Sequence, residues 1–171
     1  MRIRDFAVIL IFQLVFNNCA HADARVVTGI YRNPAEGYAI RIPKGLKAIA
    51  GDQSGPERGV SIHLPSGNTI VTIGEPNSAE YKDAQEGVRA SLHLKDCPSR
   101  EATVTAAGMG KLVGAKGRLA CGNRVLVTIL TFRPHGEPIY WLKLETDPAH
   151  EHEDDAVLEL LASSFRIIRW E

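Results

Sequence analysis

The fold is decided by one stretch of the sequence, Arg124-Val125-Leu126-Val127-Thr128-Ile129-Leu130-Thr131-Phe132. In an extended chain, successive side chains point to opposite faces. One face therefore carries Val125, Val127 and Ile129, and the other carries Leu126, Leu130 and Phe132. A strand that is apolar on both faces is typical of the middle of a sheet that is covered from both sides. Residues 124–132 thus predict a central strand with a packing layer on each face.

Further strand patterns lie before and after this central run. Period-two alternation predicts strands over 26–31, 37–43, 60–64, 71–73, 104–106, 113–121 and 139–145, and a short last strand over 166–169. The turn Pro65-Ser66-Gly67-Asn68 joins two of them into a hairpin.

Two helices are predicted between the strands. Asn77 followed by Glu80 resembles a capping box, so the first helix is expected to begin there and to end near Leu94. Asp147-Pro148 predicts the start of the second helix, with an acidic N-cap and a proline in the first turn. Several strands, a helix, several strands and a second helix predict an α+β domain with a central antiparallel sheet flanked by helices.

The N-terminus has the pattern of a secretory signal peptide. Arg2 and Arg4 precede an apolar stretch over residues 6–16, and small residues at Ala20, Ala22 and Ala24 offer cleavage after Ala22 or after Ala24. The apolar stretch is shorter than the roughly 20 residues that a membrane-spanning helix needs. Lipid attachment at Cys19 is disfavoured, because no small residue precedes it. Residues 1–24 are therefore predicted to be removed, which leaves residues 25–171 as a single periplasmic or secreted domain without a stable membrane anchor.

Composition excludes several classes of protein. The chain has 171 residues, 44% of them hydrophobic, and 20 basic residues balance 20 acidic ones. Such a composition is globular rather than disordered. A net charge of zero gives no electrostatic footprint for nucleic acid or for an anionic membrane.

Two cysteines remain once the signal peptide is removed. Cys97 and Cys121 are predicted to form one disulfide, because exported proteins are oxidised and no Cys-x-x-Cys motif is present. A catalytic cysteine would need a free thiol with a depressed pKa, and nothing in the sequence indicates one.

The densest set of candidate metal ligands is His150-Glu151-His152-Glu153-Asp154-Asp155. His150 and Asp154 are four residues apart on a helix, and with His152 they are the candidate metal ligands. The alternative interpretation is an exposed, solvated first turn in which acidic side chains complement the helix dipole. Both interpretations stay open at this point.

Two other motifs resemble parts of known sites, but neither predicts catalysis. Gly108-Met109-Gly110-Lys111 lacks the residues that a phosphate-binding loop needs, because Leu112 follows the lysine. Ser61 and His63 share one strand face, but no Gly-x-Ser-x-Gly motif accompanies them, and they are expected to be exposed polar strand residues. No catalytic residue and no cofactor are predicted.

The sequence resembles PsbP-like domains at both ends of the predicted domain. The opening part reads Tyr31-Arg32-Asn33-Pro34-Ala35-Glu36-Gly37-Tyr38-Ala39-Ile40-Arg41-Ile42-Pro43. The closing part reads Ile139-Tyr140-Trp141-Leu142, followed by Leu160-Leu161-Ala162-Ser163-Ser164-Phe165-Arg166-Ile167. The resemblance implies an α/β/α sandwich around an antiparallel sheet over most of residues 26–170. It brings no functional residue with it, because the fold hosts unrelated functions.

These patterns together predict an exported, non-enzymatic binding or accessory protein. Its partner is expected to be another exported or envelope protein, or a small ligand, met at a sheet edge and the loops 51–59 and 133–138. One concrete form is an inhibitor or immunity protein against an exported toxin. The alternatives are a metal-binding protein or metal-dependent enzyme that uses His150 and His152, and a hydrolase whose site is assembled from distant residues.

Overall fold

A computed structural model of the chain describes residues 24–51, 59–93, 97, 102–133 and 138–168. The predicted signal peptide up to residue 23 and most of the loops 51–59 and 133–138 lie outside the described residues. No helix within the described ranges is both long enough and apolar enough to cross a membrane.

Eight strands form one antiparallel sheet, called the large sheet here. They are β1 (Arg25–Val27), β4 (Lys47–Ala50), β5 (Gly59–His63), β6 (Thr69–Glu75), β7 (Thr103–Met109), β8 (Leu112–Cys121), β9 (Arg124–Phe132) and β10 (Ile139–Thr146). Their order across the sheet is β1-β4-β5-β6-β10-β9-β8-β7. A three-stranded small sheet has the order β11-β3-β2, from β2 (Ile30–Asn33), β3 (Tyr38–Arg41) and β11 (Arg166–Ile167). The two helices are α1 (Ala84–Leu92) and α2 (Glu151–Ser164).

The large sheet is covered on both faces, as the central run at 124–132 predicts. On one face, α1 packs Val88 and Leu92 against Leu130 and Trp141. On the other face, α2 and the small sheet enclose the larger core, to which β9 contributes Val125, Val127 and Ile129. The α+β class and the antiparallel sheet are confirmed.

An aromatic cluster joins the small sheet to α2 and to the large sheet. The fully buried ring of Tyr38 stacks on Phe165 with ring centroids 5.2 Å apart, and it meets Tyr140 edge-on at 5.6 Å. The Tyr38 hydroxyl and Thr72 Oγ1 lie 2.9 Å apart in a hydrogen bond, so the buried phenol is satisfied. The cluster therefore connects the small sheet, α2 and the large sheet at one place.

The first predicted strand is divided between the two sheets. β1 pairs with β4 in the large sheet, whereas β2 pairs with β3 in the small sheet. Gly29 lies between them with a φ of +72°, a conformation that favours glycine. The prediction of one strand over 26–31 is wrong because this bend redirects the chain.

Both helices begin later than predicted. The side chain of Asp83, not Asn77, caps α1 by accepting from the Glu86 N–H at 2.8 Å. Asn77 instead closes a preceding turn, since its side chain accepts from the Tyr81 N–H. Likewise, Asp147 accepts from the N–H groups of Ala149 and His150 in a turn that precedes α2. Asn77 and Asp147 therefore cap the turns that precede the two helices, and not the helices themselves.

Candidate functional site

A cavity of about 380 Å³ lies on the same face of the large sheet as α1. The helix packs on β7, β8 and β9, so it covers only part of this face. The cavity begins where α1 ends, at Ser91 and Leu92, and extends over side chains from β5, β6, β9 and β10.

The floor of the cavity follows from strand register. Ser61, Val71, Lys143 and Thr128 are consecutive partners across β5, β6, β10 and β9, so they form one row on one face. The next row along the strands begins with His63 and continues through Thr69, Glu145 and Leu126. Two rows of mainly polar side chains therefore line this face of the large sheet. Of the strands that carry them, β5 and β6 are not covered by a described helix.

Lys143 is the central charge of this floor. Its ammonium lies 4.4 Å from the centroid of the Trp141 ring, in cation–π contact. Within the described part of the chain, no carboxylate forms an ion pair with it. Burial lowers the pKa of Lys143, while the charge of Glu75 acts in the opposite direction. Lys143 is therefore a partly desolvated cation that forms no ion pair among the described residues, and an anionic ligand would stabilise it.

Two hydroxyl groups lie near the lysine, that of Thr128 directly beside it and that of Ser61 beyond Val71. Ser61 is 2% exposed and Thr128 is 4% exposed, and both lie in the same row as Lys143. The row with His63 adds the hydroxyl of Thr69, whose Oγ1 lies 3.5 Å from His63 Nδ1. The Nε2 atom of His63 is buried and has no hydrogen-bond partner among the described residues. The floor thus offers several donors next to a single positive charge.

Glu145 does not neutralise Lys143. Its carboxylate forms an ion pair with Arg124, with a nitrogen–oxygen distance of 3.2 Å, and both side chains are about half exposed. The acid therefore lies at the rim with its own partner. Leu92, Leu126 and Val71 supply apolar lining, so the cavity combines one cation, several hydroxyls and an apolar wall.

The expectation that Ser61 and His63 are exposed is wrong. They do share a face, but Ser61 is buried and His63 is half-buried. Ser61 is small and lies between Ile49 and Val71 on the two neighbouring strands, so the larger side chains cover it. The Cα atoms of Ser61 and His63 are about 7 Å apart, and among the described residues no hydrogen bond joins their side chains, since the contact of His63 Nδ1 is with Thr69 Oγ1. This placement does not match a nucleophile and its base.

Lys143 and Thr128 are not among the site residues predicted from the sequence. The signal for Lys143 was present, because it shares its strand face with the bulky Trp141 in an alternating run. A lysine at an inward-facing position needs a partner or a function. Thr128 gave no comparable signal, since threonine is common in strands.

The three candidate metal ligands lie in different surroundings. His150 is the N-cap residue of α2, and its Nδ1 lies 2.9 Å from Asp147 Oδ2. His152 is exposed, whereas Asp154 is buried and accepts hydrogen bonds from Ser66, Asn68 and Thr146. Within the described ranges, no group of three or more His, Cys, Asp or Glu side chains is placed to hold a metal ion. Metal binding by His150, His152 and Asp154 stays a prediction, and the solvated first turn is wrong for Asp154.

The predicted disulfide between Cys97 and Cys121 is present. The two Cα atoms lie 5.5 Å apart, which is an ordinary separation for bonded cysteines. The bond ties the segment that follows α1 to the last residue of β8.

Comparisons with known proteins show similarity of structure but not of sequence family. No protein-family model matches the chain, and no curated protein sequence matches it. The solution structure of cyanobacterial PsbP (CyanoP) from Synechocystis sp. PCC 6803 is similar, with a TM-score of 0.51 at 16% identity over 90% of this chain and 99% of that one. A crystal structure from Bacteroides thetaiotaomicron gives a TM-score of 0.49 at 10% identity, over 83% of this chain and 49% of that one. At this level of identity, the first likeness establishes the fold alone.

Proposed function

We propose that this protein, whose fold is PsbP-like, is an exported, non-enzymatic binding protein that takes a small carboxylate ligand in the cavity beside α1. One observation carries the proposal, namely that Lys143 lines the cavity and forms no ion pair in the described part of the chain. A bound carboxylate would pair with its ammonium and would accept hydrogen bonds from the hydroxyls of the same lining.

The lining defines the ligand more closely. A volume of about 380 Å³ lies near the lower end of the range for small-molecule sites, which is roughly 300–1,000 Å³. Leu92, Leu126 and Val71 favour a short apolar portion next to the carboxylate. We therefore expect a monocarboxylate with a chain or ring of modest size, held by Lys143 at its charged end.

A binding role is favoured over catalysis by the arrangement of the polar groups. In the described part of the chain, no hydrogen bond joins Ser61 to His63, as a nucleophile–base pair would require. Glu145 is engaged by Arg124 at the rim. The remaining donors surround the position of an anion and do not define a reacting atom, which supports recognition.

Export is part of the same proposal. The Cys97–Cys121 disulfide suits an oxidising compartment. The N-terminal sequence has the features of a cleaved signal peptide. Fractionation of cells that express the full chain should place it in the periplasm or medium, and mass spectrometry should find an N-terminus at residue 23 or 25. An intact N-terminus on protein recovered from the cytoplasm would contradict export.

The ligand proposal is tested by calorimetric titration of the mature chain with butyrate, hexanoate and benzoate. Each acid is compared with its amide, which has nearly the same shape but no charge. Lys143→Met removes the charge and should weaken binding of the acids by at least about tenfold, which corresponds to about 1.4 kcal/mol. Lys111→Met, in the exposed turn after β7, is the matched control and should change nothing.

Two results would contradict the proposal. The first is equal affinity of the Lys143→Met variant and the unchanged protein for an acid that binds. The second is the absence of binding for all three acids, with the disulfide confirmed to be intact in the sample.

A further inference from the structure

The small sheet turns three arginines away from the core. Tyr31, Tyr38 and Ile40 face inward and are buried. The opposite face carries the arginines, one from each strand, and we call it the arginine face: Arg32, Arg41 and Arg166. All three are exposed.

Strand register places these arginines close together. Arg32 and Arg166 are both paired with Ala39, one on each side of it. Neighbouring strands lie about 4.8 Å apart, so the two Cα atoms are about 10 Å apart. Arg41 and Arg166 also line one small cavity of about 80 Å³, together with Ile30 and Ser164. The arginine face is thus a compact patch on a chain with no net charge.

No ion pair in the described part of the chain neutralises the patch. The ion pairs found there involve Lys116, Arg118, Arg124 and His150, and none involves the arginine face. A groove of about 640 Å³ adjoins the small cavity, with which it shares Ile30 and Arg41, and Lys44 adds a further positive charge. The described residues that line the two depressions include no aspartate or glutamate. Their combined field attracts an anion.

The arginine face lies beside an open strand edge. In antiparallel pairs, hydrogen-bonded and non-bonded positions alternate. The Ile42 N–H donates to the Gly29 carbonyl at 2.7 Å, so two residues further along, Tyr31 and Ile40 form the next bonded pair. The N–H and C=O groups of Ile30 and Arg32 therefore point away from β3. Among the described residues, no backbone partner meets them there.

The other side of β3 is already closed. There, the Arg41 N–H donates to the Ser164 hydroxyl at 3.0 Å, and β11 pairs with Ala39 and Tyr38. Within the described residues, an added strand can therefore join this sheet at β2 but not at β3.

We propose that the open edge of β2 and the arginine face bind an extended acidic segment of another exported protein. Such a segment would add a strand to β2, with its main chain bonded to Ile30 and Arg32. Alternate side chains of a strand share a face, so acidic residues at every second position would lie beside Arg32 and in the positive field of Arg41 and Arg166 on the next two strands. A strand fits these observations better than a free anion, because backbone groups and two adjoining depressions are offered together with the charge.

The test uses a fluorescein-labelled peptide of alternating glutamate and valine, seven residues long, and measures fluorescence anisotropy. Arg32→Gln/Arg41→Gln/Arg166→Gln should weaken binding at least 30-fold. The matched control replaces three exposed cations elsewhere, Lys82→Gln/Arg89→Gln/Lys111→Gln, with the same change of net charge. This control should bind as the unchanged protein does. Thermal melts check that both triple variants are folded.

Two peptides with N-methyl groups test strand addition itself. One carries methyl groups on the odd-numbered amides and the other on the even-numbered amides. Only one of these sets faces β2, so one methylated peptide should lose binding and the other should retain it. Equal binding of both would overturn the strand geometry. Equal weakening by the two triple variants would overturn the arginine face as the site.

The experiment also separates this proposal from others. The Lys143→Met variant should bind the peptide normally, so failure of the carboxylate site leaves this result intact. Sedimentation with vesicles that contain 30% phosphatidylglycerol tests an anionic membrane as the occupant. Arginine-dependent sedimentation without peptide binding would replace the acidic segment by a lipid surface.

Discussion

Asp154 gives the sharpest test of how α2 is attached. Its carboxylate lies in the first turn of the helix and is only 3% exposed. It accepts from Thr146 Oγ1 at 2.7 Å, from Asn68 Nδ2 at 2.8 Å and from Ser66 Oγ at 2.9 Å. One side chain thus ties α2 both to the end of β10 and to the β5–β6 turn. Replacing it by alanine removes all three hydrogen bonds.

The expected cost follows from what happens to each donor. A hydrogen bond to a charged group contributes about 1.5–3 kcal/mol, and the loss is smaller where the donor finds another partner. Thr146 Oγ1 is buried but keeps the Asp147 carbonyl as an acceptor at 3.3 Å, and Ser66 and Asn68 are half-exposed and can bond to water. Asp154→Ala should therefore lower the free energy of unfolding by about 3 kcal/mol, which is below the sum for three such bonds. For a domain of this size, the melting temperature should fall by about 9 °C.

Urea unfolding of the mature, oxidised protein measures this cost. Glu153→Ala, the exposed neighbour, is the control and should stay within about 0.5 kcal/mol of the unchanged protein. Asp154→Asn keeps one carbonyl acceptor and should fall between the two. A cost for Asp154→Ala no larger than that of the control would refute the reasoning. If Asp154 is instead a metal ligand, EDTA should destabilise the unchanged protein and leave Asp154→Ala unaffected.

Three further predictions concern the disulfide, one glycine and one ion pair. Cys97→Ala/Cys121→Ala should cost about 3.5 kcal/mol by the chain-entropy estimate, measured by urea unfolding. Gly117→Ala should cost about 1–3 kcal/mol, because the new methyl group would overlap Val88 and lie 2.6 Å from a Leu92 methyl carbon beneath α1. The Asp147 carboxylate raises the pKa of His150, so an NMR titration should find it above 6.5, and Asp147→Asn should return it close to that value.

Each of these predictions has an outcome that contradicts it. For the disulfide, the contradicting outcome is that complete reduction leaves the midpoint of urea unfolding unchanged. For Gly117, the Val88→Ala/Leu92→Ala background relieves both close contacts, so an equal cost of Gly117→Ala in this background and in the unchanged protein would rule out the clash. For the ion pair, the pKa of Asp147 is lowered to about 2 and that of His150 is raised, so its stabilisation is complete between about pH 4 and 6.5. It should fade as pH rises through the pKa of His150, and a contribution that grows above pH 6.5 would contradict the assignment.

The face assignments were predictable because they depend on local alternation. Residues 124–132 divide between the two cores as their period predicts. β4 was not predicted, since its inward residues, Ala48 and Ala50, are small and give a weak pattern. Its pairing with β1 and β5 makes it a strand, and that pairing is not local.

The candidate sites were less predictable, because they depend on contacts between distant segments. Asp154 was expected at a solvated helix start, yet its partner Ser66 lies 88 residues earlier in the sequence. Lys143 becomes part of a candidate site because the sheet places Ser61 and Thr128, from other strands, in the same row. A single sequence reveals which face of a strand carries a polar side chain, but not which neighbours the sheet places beside it.

The bond from the Arg41 N–H to the Ser164 hydroxyl spans 123 residues of chain. Together with the pairing of β11 and β3, it means that the small sheet is completed by the last described strand. Long-range pairings of this kind form late and slow folding. During synthesis, the chain would therefore lack a closed core until residues near 165 become available. If the chain is exported as proposed, this delay would help it to remain unfolded until it has crossed the membrane.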